Sequence, residues 1–117
     1  MKIPELFTDS EISCKCGCGA MPQQSAVNAL YALRIILDQP IIITSGARCS
    51  VHNLSVGGKP GSYHLTGEAF DIRILPDSVG LVMFELAPAC GFTGIAYIYP
   101  GSIHLDTGHL KLTTWGY

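Results

Sequence analysis

The sequence predicts an α+β fold in which two main helices pack on one side of a small, mostly antiparallel sheet. Residues 22–38 repeat apolar side chains at helical spacing, and segments 68–74 and 102–106 alternate apolar and polar residues at the period of a strand. Glycine and proline punctuate the chain between these segments. No repeat, low-complexity tract or long polar linker divides the 117 residues, so residues 1–117 are expected to form one domain.

Taken in order, "PQQSAVNALYALRIILD" (Pro22 to Asp38) sets Ala26, Leu30, Leu33 and Leu37 on one helical face. Pro22 suits a first-turn position, and the helix must end before Pro40. "PIIITSG" is a short β-branched run closed by Ser-Gly, the pattern of a buried strand. The polar stretch "ARCSVHNLSVGGKPGSYHLTG" reads as a long loop, and a loop of that length in a small domain generally carries function. In "EAFDIRI", Glu68, Phe70, Ile72 and Ile74 lie on one strand face and Ala69, Asp71 and Arg73 on the other. "DSVGLVMFELAPACGF" reads as a second helix, weakened by Gly80 and Pro88 and ended near Gly91. The remainder reads as a hairpin around Pro100-Gly101 and a further short strand. Its second arm puts Ser102, His104 and Asp106 on one face and Ile103 and Leu105 on the other.

The two α+β layers have the composition they need: 48% of residues are apolar and 14% charged, which suits a filled core and argues against disorder. With a net charge of -2 and no basic run, the chain lacks the electrostatic footprint of a nucleic-acid binder. The N-terminus has no apolar region of signal-peptide length, and the longest apolar stretches are broken by charge and proline. Neither a signal peptide nor a membrane span is therefore expected, and the chain is expected to be cytoplasmic at synthesis and monomeric.

His64 and Asp71 on one segment and His104 on a distant strand supply two imidazoles and a carboxylate. Zinc accepts such ligands, and a catalytic zinc keeps three protein ligands and one open position for water. Its chemistry is to lower the pKa of water and polarise a carbonyl, which points to amide hydrolysis. Two histidines and an aspartate are also compatible with ordinary surface or core roles, and the wider run separates these readings. "SYHLTGEAFD" matches the pattern SxHxxGxAxD, with "ITSGARC" before it and "IHLD" after it. In these motifs and their order the sequence resembles the peptidase M15 family, of the group of lysostaphin, D-Ala-D-Ala peptidase and hedgehog domains. The resemblance runs from "FTDSEISCKCGCG" through "HNLSVGG" to "IHLD".

The resemblance implies a hedgehog/DD-peptidase-like fold and a zinc (Zn2+) metallopeptidase acting on peptidoglycan stem peptides, as a D,D-carboxypeptidase or an endopeptidase. It implies His64, Asp71 and His104 as metal ligands and Arg48 as the arginine holding substrate, a role that suits a guanidinium's paired hydrogen bonds to a carboxylate or carbonyl. Relatives carry an acid three positions before the last histidine ligand, where this chain has Gly101. Asp106 then stands as the general base, two residues along the strand from His104 and about 6 to 7 Å away. Its competing role is to accept the free ring N–H of a histidine ligand. Ser62 is expected near the substrate or capping its turn, His52 organising the long loop or touching substrate, and Gly67 allowing close approach between ligands. The other reading of the same fold is a non-catalytic zinc-containing binding module. An enzyme of this kind without an export signal fits a phage-encoded protein released to act on the cell wall, or a host protein exported by another route.

Cys14, Cys16 and Cys18 alternate in "CKCGCG", which departs from the CxxC knuckle of structural zinc sites. Five cysteines are an odd number, and a disulfide between residues two apart is strained. Three readings stand: reduced thiols, a disulfide from one of the three to Cys49, or a second metal site, with the first two placed ahead of metal and a catalytic cysteine last.

Overall fold

The computed structural model describes residues 6–74, 77–98 and 101–116. Its elements are α1 (Asp9–Ile12), α2 (Gln24–Leu37), β1 (Ile42–Ser45), α3 (Ser50–Ser55), β2 (Ala69–Arg73), α4 (Asp77–Cys90), β3 (Gly94–Ile98), β4 (Ser102–Asp106) and β5 (Thr113–Gly116). The strands form one five-stranded sheet in the order β1-β2-β4-β3-β5. Its neighbours are antiparallel except β3 and β5, which run parallel, so the expected mostly antiparallel α+β architecture is what the chain adopts.

Helix α2 buries Ala26, Ala29, Leu30, Leu33 and Leu37 along one stripe and stops at Asp38, whose left-handed φ of 54° ends the helical hydrogen bonding. Helix α4 runs on through Gly80 and Pro88. Gly80 has a packing reason: a Cβ there would overlap the Ile74 side chain and the Tyr97 ring, so the missing side chain lets the helix approach the sheet. The apolar strand residues Phe70, Ile72, Ile95, Ile103 and Leu105 join Leu30, Leu33, Met83 and Ala87 of the two helices in one buried cluster. At about 25 cal/mol per Å² of apolar surface, this burial is the main term holding the layers together.

Two elements depart from expectation. The long polar loop contains α3, and the N-terminal segment contains α1, where the Glu11 carboxylate accepts the Thr8 N–H at 2.9 Å and satisfies one of the helix's unpaired donors. Both are short and lack an apolar stripe, so periodicity does not announce them. The hairpin turn was placed around Pro100-Gly101; Pro100 lies outside the described residues, and Gly101 takes a φ of 72°. No helix among the described residues is long and apolar enough to cross a membrane.

Strand register assembles the face opposite the helices. Asp71 of β2 pairs with His104 of β4, His104 with Ala96 of β3, and Ala96 with Trp115 of β5, so one row crosses the sheet. The small Ala96 leaves room for the His104 and Trp115 rings, whose centroids are 5.5 Å apart. In the adjoining row Asp106 pairs with Ala69 on one side and Gly94 on the other. A β-bulge between Ile43 and Ser45 bends β1 and sets Ser45 opposite Asp71.

Candidate metal centre

His64, Asp71 and His104 converge although they come from a turn and two strands. Asp71 Oδ1 lies 3.1 Å from His64 Nε2 and 3.1 Å from His104 Nδ1. The far nitrogen of each ring is already committed. His64 Nδ1 is 2.7 Å from the Gly46 carbonyl oxygen, which only accepts, so this nitrogen carries the hydrogen. His104 Nε2 is 2.8 Å from Asp106 Oδ2 and donates to it in the same way. The near nitrogens of two neutral rings therefore aim lone pairs at a carboxylate oxygen that also only accepts. A shared cation, or an added proton on each ring, relieves that opposition. The donor set, two imidazoles and a carboxylate whose ligand atoms all lie within 4.8 Å of one another, fits zinc.

Arg48 completes the surround of Asp71. Its Nη2 donates to Asp71 Oδ2 at 3.1 Å, its Nε to Ser45 Oγ at 2.9 Å and its Nη1 to Asn53 Oδ1 at 3.1 Å. The guanidinium is thus a fixed group with N–H capacity to spare, rather than a solvated loop charge. Its backbone N–H donates to the His64 carbonyl, which locks the two segments together.

Asp106 is fully buried and both of its oxygens are used: Oδ2 by His104, Oδ1 by His109 Nδ1 at 2.7 Å and by the Gly108 N–H at 3.1 Å. Of its two expected roles, these bonds fit the one in which Asp106 accepts a histidine ring N–H: it stands behind the His104 ring, on the side away from Asp71, and orients the imidazole, while also lining the cleft. Gly94 makes the arrangement possible, because a Cβ there would overlap both the Asp106 carboxylate and the His109 ring.

These residues open on a cleft of about 580 Å³, lined in part by Arg48, Ser62, His64, Asp71, His104, His109 and Trp115. Ser62 lines it and also accepts the His64 N–H at 3.2 Å, so both of its expected roles coexist. His52 does not line it: it lies on α3, with its backbone N–H on Cys49 Sγ and its carbonyl accepting from Val56. Its neighbour Asn53 is buried and meets Arg48 instead, because the short helix turns position 53 inward. Gly67 also serves differently from expectation. Its φ of 78° and close approach are to Pro22 and Gln23 at the start of α2, not between ligands. Trp115 carried no site expectation, and His109, whose ring is 5.2 Å from it, is close enough in sequence to be an alternative ligand but lies in a turn outside the motif; the Asp-x-x-His spacing of Asp106 and His109 was the available signal.

In the metal-free protein the charges around His104 shape the titration. Burial pushes its imidazolium down, but Asp106 and Asp71 on its two nitrogens outweigh this and lift it from 6.5 to about 9. Burial likewise works against the Asp71 carboxylate, and the His104 and His64 rings outweigh it, holding Asp71 well below its ordinary 3.8. A raised histidine stabilises the fold fully below 6.5 and ceases to do so as pH climbs through about 9. A depressed carboxylate contributes above 3.8 and is lost as pH falls. Thermal melts of chelator-treated protein are expected to peak between about pH 4 and about pH 6.5 and to decline toward pH 9. A melting temperature that rises steadily to pH 9 would show that the His104 cluster is not formed without metal.

A second group able to hold a metal brings Cys14, Cys16, Cys18 and Cys49 together, the geometry of the reading that was placed behind reduced thiols and a disulfide to Cys49.

A polar cleft on the open face of the α+β sheet thus presents a histidine and carboxylate donor set that could hold a metal ion. The family model Peptidase M15 matches residues 4–106, and the chain belongs to the peptidase M15 family. A comparison with curated proteins gives no match. The matched range holds Arg48, His64, Asp71, His104 and Asp106 and leaves His109 and Trp115 beyond it.

Proposed function

We propose that this protein is a zinc-dependent peptidase that cleaves an amide bond of peptidoglycan stem peptides, on a hedgehog/DD-peptidase-like fold, with His64, Asp71 and His104 as the metal ligands. The observation that carries the reading is the opposition of lone pairs: both rings have their outer nitrogens tied down, so their inner nitrogens and Asp71 Oδ1 meet as three acceptors. Zinc bound there supplies a Lewis acid that polarises a carbonyl and lowers the pKa of water.

The chain's own groups then position and move protons. Arg48, held by Ser45, Asn53 and Asp71, pairs its remaining N–H groups with a substrate carboxylate or carbonyl. His109 donates its Nδ1–H to Asp106, which leaves Nε2 as the acceptor in a ring that lines the cleft. It takes the base and acid role for which Gly101 offers no carboxylate: Nε2 accepts a proton from the attacking water and returns it to the leaving amine. Asp106 orients both rings and stays ionised, its carboxylate lowered because, against the cost of burial, His104 and His109 bond it.

Two results of mutation are expected. Arg48→Lys keeps a charge but not the three hydrogen bonds, and should lower kcat/KM at least about tenfold with zinc content unchanged. Gly94→Ala forces Asp106 away from His104 and should weaken zinc binding by about 10- to 100-fold, as measured by competition with a chromophoric chelator.

The test of the function is digestion of purified peptidoglycan and of a stem pentapeptide by the zinc-loaded protein, with products identified by mass spectrometry. Loss of the terminal residue alone marks a carboxypeptidase, and an internal cut an endopeptidase. The absence of an acid at Gly101 favours one other reading, a zinc-containing binding module. Retention of cell-wall fragments by zinc-loaded protein that never cuts them would establish that reading instead.

A further inference from the structure

The cysteine cluster is built by its backbone. The Cys14 N–H donates to the Ala20 carbonyl at 2.9 Å and the Gly17 N–H to the Cys14 carbonyl at 3.1 Å, closing residues 14–20 into a tight loop. Gly17 and Gly19 take φ of 83° and 90°, a curl that side-chain-bearing residues rarely adopt and that turns alternate cysteines toward one point. Cys49 arrives from the other side, directly after Arg48. The sulfur of Cys14 lies 3.3 Å from that of Cys16 and 3.8 Å from that of Cys49; Cys16 and Cys49 are 3.6 Å apart, and all four sulfurs lie within 4.8 Å of one another.

A tetrahedral zinc with bonds of about 2.3 Å sets its sulfur ligands about 3.8 Å apart, and the separations among Cys14, Cys16 and Cys49 run from 3.3 to 3.8 Å. Backbone N–H groups also point at sulfur: Cys49 N–H at Cys14 Sγ and His52 N–H at Cys49 Sγ, each 3.4 Å away. Such donors favour the charged thiolate that a metal needs. One disulfide would use two of the four sulfurs and leave the convergence of the others without a cause, whereas four soft donors at tetrahedral spacing select zinc over harder ions.

We propose that Cys14, Cys16, Cys18 and Cys49 bind a structural zinc ion, distinct from the His64, Asp71 and His104 centre. The ion staples the 14–20 loop to the residue that follows Arg48. A weaker tie already joins the residues flanking these segments, the Ala47 N–H to the Ile12 carbonyl at 3.0 Å, and the Arg48 N–H to the His64 carbonyl at 2.9 Å fixes the corner to the metal-centre turn. The cysteine site thereby holds in place the strand-to-helix corner from which Arg48 reaches Asp71.

The test is zinc content and X-ray absorption of protein prepared under reducing conditions, comparing wild type, His64→Ala/His104→Ala and Cys16→Ser/Cys18→Ser. Cys16 and Cys18 are exposed, so their replacement spares the core. The histidine variant is expected to keep one zinc per chain with an all-sulfur shell near about 2.3 Å. The cysteine variant is expected to lose that ion and keep one with nitrogen and oxygen ligands. Thiol alkylation of native wild type checks the same point without mutation: the four cysteines should be protected until a chelator is added. A histidine variant without sulfur-bound zinc, or native thiols that alkylate at once in excess zinc, would overturn the proposal. Neither readout depends on peptidase activity, so the two zinc assignments stand or fall separately.

Discussion

His64→Ala is expected to leave the histidine and aspartate centre without zinc and to reduce hydrolysis of stem peptides to background. His64 is 3% exposed and is held at both ring nitrogens, by the Gly46 carbonyl and by Asp71. Alanine removes one of three ligands and leaves the Gly46 carbonyl buried without its partner, at a cost of about 1–3 kcal/mol. That cost lowers the melting temperature of a small domain by several degrees without unfolding it at room temperature, so circular dichroism should report native secondary structure. Elemental analysis and a peptide digest on the same sample check the outcome. A variant that stays folded and still cuts at the wild-type rate would remove this centre from the mechanism.

His109→Gln is expected to lower kcat by about 10²- to 10⁴-fold, the usual contribution of general acid–base catalysis, with zinc content unchanged. Glutamine retains a donor for Asp106 and much of the ring's reach toward Tyr63 and Trp115, which flank it at centroid distances of 5.0 and 5.2 Å. What it lacks is a ring nitrogen able to accept a proton. The pH–rate profile separates this role from a structural one: loss of the proton-transfer group should change the shape of the profile, while a packing defect would lower it without changing its shape. An unchanged profile and rate would return the search for the base to another residue of the cleft.

Much of the site was legible because its ligands sit on regular elements. Asp71 and His104 fall on the polar side of alternating strands, and a period of two fixes the face of each whatever the sheet does next. His64 and Arg48 followed from the motifs that carry the family resemblance. For His52 the two expected roles were not separable because α3 has no apolar periodicity; the residue that faces inward is Asn53, one position on. For Asp106, alternation gives the face but is silent about the two rings that bond it. His109 and Trp115 lie in segments with no pattern of their own, and the cysteines in a loop whose curl depends on glycine backbone angles.

The sequence by itself determined the α+β class, the helix α2, the strand faces and the polar row, because those depend on local periodicity and on apolar side chains leaving water. Tertiary structure alone decided that β2 and β4 pair in the register that sets Asp71 against His104, that Asp106 bonds the far side of the His104 ring, and that Cys49 closes on a loop more than thirty residues away. Register and ring orientation are settled by hydrogen bonds between segments far apart in the chain, and no local pattern encodes which partner a strand or a sulfur will meet.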